Sequence, residues 1–268
     1  MIFERFFRTK KTKIHYSDLI GHIMERMVAV PGGSFLMGSN EDEKDEHPIH
    51  NVLLDSFFIG KYTVTQYQWS ELMETTPWKG LKFVKEGINY PAVNISWYEA
   101  KEFLNKLSEL SNSEFRLPTE AEWEYACRAG THTKFAHGNL KLNLAHYAWY
   151  YENAFKKEEM YPHEVGTRKP NKWGIHDMMG NIYEWCGDWY SKHYYAKSPV
   201  LNPPGPMYGT NRIVRGGDWA HTDYFLRASA RNDYSPHHKD NNIGFRIIMT
   251  AKNLPSNNNH QEVPHALL

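Results

Sequence analysis

Cysteine is almost missing from this chain: Cys127 and Cys186 are its two thiols among 268 residues. Two cannot make a disulfide framework, and neither lies in a CxxC or other metal-binding spacing. Two buried thiols are expected, with a single bridge between them as the alternative. An excess of charge is missing too. The 31 basic and 31 acidic residues cancel, so no broad basic field draws nucleic acid or an acidic membrane. No apolar run approaches the roughly 18 residues that mark a membrane-spanning helix. The first residues, MIFERFFRTKKTKIHYSDL, are basic but lack an uninterrupted apolar stretch and a small-residue cleavage site. No secretory signal is expected there, which leaves the cytoplasm as the default compartment. Also missing are HExxH, GxSxG, the phosphate loop and a GxGxxG after a strand.

What is abundant is aromatic surface. Phe, Trp and Tyr make up 15% of the chain, and such side chains pack with one end and bind with the other. The length suits one domain with appendages. Met27–Val30 reads as a strand, Pro31-Gly32-Gly33 stops it, and Ser34–Gly38 reads as the second strand of a hairpin. The charged stretch Asn40–His50 is expected to be a solvated loop, because its His47 and His50 lack any helical carboxylate–histidine spacing. Asn51–Ile59 reads as a third strand. Three helix starts follow. Thr65 with Gln68, Ser96 with Glu99, and Thr119 with Glu122 each fit a capping box, in which a hydroxyl accepts from the N3 amide and the N3 side chain answers back. The second of these helices places Trp97, Ala100, Phe103, Leu104 and Leu107 on one face. Gly130 fits the position just past the third.

From Thr131 to Pro170 no period persists, and long loops pinned by aromatics are expected. Gly180-Asn181 is a turn, Tyr183 and Trp185 alternate with Glu184 as a strand, and Arg212–Arg215 is another. Helices grouped apart from antiparallel strands indicate an α+β domain over 27–250. An N-terminal arm at 1–26 precedes it and a polar tail at 251–268 follows. In the arm, Ile2, Phe3, Phe6 and Phe7 oppose Arg8, Lys10, Lys11 and Lys13. A membrane-surface role competes there with a docked or frayed terminus, and the second reading is preferred.

The stretch Arg215–Arg246 is different in kind. Its ends, Arg215-Gly216-Gly217 and Gly244-Phe245-Arg246, look structural, and Ile247-Ile248-Met249 continues as an apolar run. Its middle has no period and is rich in turn-forming Asn and Asp, so a long ordered loop is expected. Long loops inside compact domains are usually functional. Elsewhere, Asp177 and Glu184 flank the Gly180-Asn181 turn. With backbone carbonyls they would supply hard oxygen ligands suited to calcium rather than zinc. The competing reading is a pair of acidic residues that merely cap and solvate a turn. The histidines show no helical ligand pair, and neither thiol has a sequence neighbour that would depress its pKa.

Several motifs fall in one order: MVAVPGGSFLMGS, YPAVNISWYEAKEFLNKLS, FRLPTEAEWEYACRAG, KPNKWGIHDMMGNIYEWCGDWY, RIVRGGDW and NNIGFRI. Together they resemble the formylglycine-generating enzyme, or sulfatase-modifying factor, family over roughly 27–250. That resemblance implies a C-type-lectin-like α+β fold with little regular structure. It also implies a structural calcium held by Asp177, the Gly180 and Ile182 carbonyls, and Glu184. The oxidising members of the family place two copper-binding cysteines just after a GGSW-like segment. Here the segment reads GGDWAHTDYFLRASAR and has none, so no copper and no formylglycine-generating activity are expected. The stretch Gly216–Arg246 is also similar to the variable region of retroelement-diversified proteins, which display a binding face on this fold. The resemblance implies a non-catalytic protein. Trp219, His221, Asp223, Tyr224, Phe225, Asn232, Asp233, Tyr234, His237 and His238 would contact a protein or other macromolecular ligand. The competing class is an oxidase or iron-dependent oxygenase that uses histidines in place of thiolates.

Overall fold

The computed structural model describes residues 16–250. The tail at 251–268 and the Ile2–Lys13 array lie outside the described residues. Residues 16–24 form a helix, α1, and its Leu19 and Ile23 are buried in the core. The arm-to-domain boundary drawn at residue 26 therefore falls inside packed structure. The short sequence window hid the apolar pair because it is too brief to show a helical period.

The three capping boxes form as read. They open α2 (Gln66–Met73), α3 (Trp97–Ser111) and α4 (Glu120–Arg128), each with the reciprocal pair of side-chain bonds in place. Ala129 takes the left-handed conformation that ends α4, with Gly130 following at φ +80°. The strands pair less simply. β1 (Met27–Val30) and β2 (Gly33–Met37) do not form a hairpin: β1 pairs with β4 (Phe57–Gly60), and β2 pairs with β3 (His50–Leu54) in a separate sheet. Pro31 and Gly32 redirect the chain instead of reversing it. The expected third strand is likewise two, β3 and β4, broken at Asp55-Ser56.

Two four-stranded sheets carry the domain. One has the order β1-β4-β10-β5, with β5 at Phe115–Arg116 and β10 at Ile248–Thr250. The other has the order β8-β7-β6-β9, built from β6 (Tyr183–Trp189), β7 (Arg212–Arg215), β8 (Asn232–Tyr234) and β9 (Ile243–Phe245). Successive strand residues point to opposite faces, and the second sheet uses both. Cys186 and Ile213 enter a core that includes Trp123 of α4, while Trp185, Val214 and Phe245 enter another with Trp69 and Phe103. Both cysteines are fully buried and unbridged. The domain is thus one α+β body with two apolar layers sharing a sheet. Among the described residues no helix is long and apolar enough to cross a membrane.

The stretch between β7 and β9 is more regular than its sequence suggests. A 3-10 turn covers Asp223–Leu226, and β8 adds to the edge of β7 in antiparallel register. The Asn-Asp-Tyr composition of β8 carries no strand signal. Its ladder partner comes from tertiary context.

A candidate recognition face and the frame that holds it

The frame begins with Arg215 and Arg246, both completely buried. Arg215 pairs with the buried Glu124 of α4, and its guanidinium also donates to the carbonyls of Ala228, Ser229 and Ala230. One side chain therefore fixes the backbone of the following loop. Arg246 grips Glu184 with both ends of its guanidinium, at 2.9 and 2.7 Å, and donates to the carbonyls of Gly60 and His176. Gly216 and Gly217 turn the chain out of β7 at φ +97° and +71°, a region side-chain-bearing residues avoid. At the other end a Cβ on Gly244 would meet the Ala92 carbonyl at 2.4 Å.

Arg246 also decides how well calcium fits. The carboxylate of Glu184 accepts from Arg246 and from the Trp123 indole at 2.9 Å. A guanidinium already balances its charge. Asp177 accepts from the Gly166 amide at 2.7 Å, and burial pushes its carboxyl up to about 6. The Gly180 carbonyl accepts from the Ile182 amide at 2.9 Å. A calcium site needs six to eight oxygens with uncommitted negative charge. Asp177, Gly180, Ile182 and Glu184 do not make one, because the arginine stands where the cation's charge would be needed. Among the described residues no three His, Cys, Asp or Glu side chains are grouped to hold a metal ion.

Between the frame's ends the ten expected contact residues separate into three groups. His221, Tyr224, Phe225, Asn232, Tyr234 and His238 join in one row. His221 packs T-shaped on Phe225 at 4.7 Å and on Tyr183 at 5.4 Å. Asn232 donates to the Tyr183 hydroxyl, Tyr234 packs edge-on to Tyr183, and His238 stacks on Tyr234 at 4.4 Å. Asn232 and Tyr234 reach Tyr183 together because they alternate along β8. Asp223, Asp233 and His237 lie beside the row with other partners: Lys141, Asn211 and the ring of Tyr98. Trp219 does not belong to the surface. It is 4% exposed and packs against Phe83 and Phe155.

Two features of the site were not read from sequence. The first is Asp218, fully buried directly after the glycine pair. Its Oδ1 accepts from the Ala220 and His221 amides and from His221 Nδ1 at 2.8 Å, and its Oδ2 accepts from Asn242 at 2.5 Å. This hydrogen bond raises the His221 pKa above its ordinary value, against the opposing effect of burial. The signal was present as an acid where a GGSW-like segment has serine. The second is the acidic stretch at 40–50, which is not a free solvated loop. Glu46 is fully buried and pairs with Arg227, which also binds Asp42. Arg231 bonds both oxygens of Glu120 and the Asp45 carbonyl. The two arginines hold the acidic stretch against the face, and a cleft of about 470 Å³ lies between them. Tyr224, Phe225 and Asn232 line one side, and Glu43, Lys44 and Tyr190 the other. That volume is in the range of ligand pockets.

Neither thiol takes part. Burial pushes Cys127 up to about 12 and Cys186 well above its ordinary value. Both stay protonated in the core, which is the opposite of the depressed pKa a reactive or metal-binding thiol requires.

Comparison with known proteins agrees with the fold. Residues 21–251 match the sulfatase-modifying factor enzyme 1-like domain, and the chain belongs to that family. It is 29% identical over 285 residues to the formylglycine-generating enzyme of Streptomyces coelicolor, across 84% of this chain and 89% of that one. It is 31% identical over 255 residues to the serine/threonine-protein kinase pkn1 of Chlamydia caviae, across 86% of this chain. There it spans 39% of the relative's length. Among solved structures, Treponema denticola variable protein 1 superposes with a TM-score of 0.76 at 30% identity, covering 84% of this chain and 94% of that one.

Proposed function

We propose that this member of the sulfatase-modifying factor family is a non-catalytic recognition protein. Its ligand, a protein or other macromolecule, contacts the row from His221 to His238 and the cleft beside it. The observation that carries the reading is the division of labour between Arg215 and Arg246. Buried guanidiniums fix both ends of the segment, while Tyr224 and Phe225, 41% and 37% exposed, stand at the cleft without being needed by the core. Aromatic side chains at this exposure give contact area at low rotamer cost, and Asn, Asp and His around them give adaptable hydrogen bonds. The likeness to a variable protein at 30% identity supports the same reading, and so does the burial of both thiols. We further propose that the segment is diversified by a retroelement. A near-copy of its coding sequence beside a reverse transcriptase, differing mainly at adenines, is the expected finding.

The competing reading is an oxygen-using enzyme related to the formylglycine-generating enzymes. Metal analysis of the purified protein with a measurement of oxygen consumption separates the two. Stoichiometric copper or iron together with oxygen uptake overturns the recognition reading. A partner captured by wild-type protein and lost from the Tyr224→Ala/Phe225→Ala double variant supports it.

A further inference from the structure

We propose that the outer nitrogen of His221, held by Asp218, is an oxyanion subsite of this face, taking a carboxylate or phosphate group of the ligand. The inference rests on the recognition reading and adds a ligand chemistry to it. It starts from an imbalance. Most buried carboxylates in the domain have a guanidinium partner: Glu46 with Arg227, Glu120 with Arg231, Glu124 with Arg128 and Arg215, and Glu184 with Arg246. Asp218 is as buried as these and, among the described residues, has no arginine or lysine partner. Its ion-pair partner among the described residues is His221. An ionised carboxylate at full burial needs a counter-charge, and His221, whose pKa this contact raises, is the group placed to supply it.

Geometry then leaves one corner of the ring in use. Nδ1 is committed to Asp218 at 2.8 Å, and the rings of Tyr183 and Phe225 pack T-shaped on the imidazole. A third of the side chain stays open, and Nε2 has no partner among the described residues. The groups facing it do not compete for that role. Tyr183 on β6 and Tyr234 on β8 are both kept protonated by burial and by Asp218, and the Tyr183 hydroxyl already accepts from Asn232. Asn242, ahead of β9, is spent on the other oxygen of Asp218. The Phe225 ring belongs to the 3-10 turn and is uncharged. An N–H carrying positive charge, walled by aromatic rings and short of an acceptor, favours a ligand oxyanion through a charge-assisted hydrogen bond.

The linkage has a definite sign. The His221 pKa is raised in the folded state, so the positive subsite is fully present below the ordinary imidazole value and disappears as pH rises through the raised one. The test is NMR of the His221 imidazole carbon and proton, assigned by loss of the signal in His221→Gln. Acetate and inorganic phosphate are titrated separately against chloride at equal ionic strength. At pH 6 one of them is expected to move the signal saturably, and which one does so tells a carboxylate from a phosphate. At pH 9 neither should act, and Asp218→Asn should weaken binding at least tenfold at pH 6. If neither anion moves the signal beyond chloride in wild type, the subsite is wrong. That result needs no variant to fold. Partner capture that still depends on Tyr224 and Phe225 would in that case leave the recognition face standing, whereas capture indifferent to them would remove the face and not the subsite.

Discussion

The two ends of the Arg215–Arg246 stretch and its middle solve opposite problems. The ends are buried charges, each held by a carboxylate and by backbone carbonyls. Arg246 reaches Glu184, Gly60 and His176, and Arg215 reaches Glu124 and three loop carbonyls. The middle keeps aromatic and amide side chains at the surface, bonded to one another and to neighbouring elements. Buried ion pairs add little net stability, but breaking one leaves a charge with nowhere to go. Exposed aromatics behave the other way: removing them costs the fold little and costs a contact much. The same stretch therefore joins buried positions sensitive to change to exposed ones, such as Tyr224 and Phe225, that tolerate it.

The strongest way to break this contrast is Arg246→Ala. Glu184 would be left buried and unpaired, and a loss of about 3–5 kcal/mol is expected in denaturant unfolding. A loss below 1 kcal/mol would mean that water or a cation takes the place of the guanidinium. Next in size is a pH effect. Asp188 is pushed up to about 8 by burial first and by Glu120 second. A carboxyl whose folded pKa is raised binds its proton more tightly when folded, so stability falls as pH rises from the ordinary carboxyl range through about 8. Asp188→Asn keeps an oxygen for the Glu120 amide. It is expected to flatten that fall and to exceed wild type in melting temperature at alkaline pH. Equal pH profiles would sink the assignment.

Smaller again is Thr119→Ala, which removes the cap of α4 and should cost about 1 kcal/mol. Against these frame effects, Tyr224→Ala with Phe225→Ala should change stability by about 0.5 kcal/mol per site or less, while partner capture weakens more than tenfold. The smallest effect is expected at the exposed Lys239–Glu99 pair, where Lys239→Ala should shift unfolding by less than about 1 kcal/mol. A face substitution that unfolds the protein, or a frame substitution that spares it, would erase the distinction.

What could be read in advance follows the same line. The helix starts were legible because a capping box is local: Thr65, Ser96 and Thr119 bond residues three positions away. The charged ends of the stretch were visible as a pattern but not as ion pairs, since Glu124 and Arg215 lie 91 residues apart. The hairpin expected of β1 and β2 failed because strand choice depends on partners far away, here β4 and β3. The calcium expectation meets the same difficulty of distance. A guanidinium from residue 246, remote in sequence, neutralises Glu184. Trp219 looked like a contact residue by type and is buried by Phe83 and Phe155, residues remote in sequence. Asp218 was written in the sequence as a lone acid. Its role required knowing that, among the described residues, no arginine reaches it.

One pairing has a consequence for how the stretch can change over time. Glu184 in β6 lies opposite Arg215 on one side and Gly244 on the other. The chain leaves and returns at two flanks of a single residue, so both exits are fixed by neighbouring rungs of one ladder. For a flexible loop closed between fixed points, each doubling of length costs only about 0.6 kcal/mol. Substitutions and length changes can thus be absorbed at exposed positions such as Tyr224 and Phe225, provided the two exits keep their places beside Glu184 and the buried Asp218, Leu226 and Arg227 keep theirs. Drift is cheap at the exposed positions of the middle and costly at its buried ones.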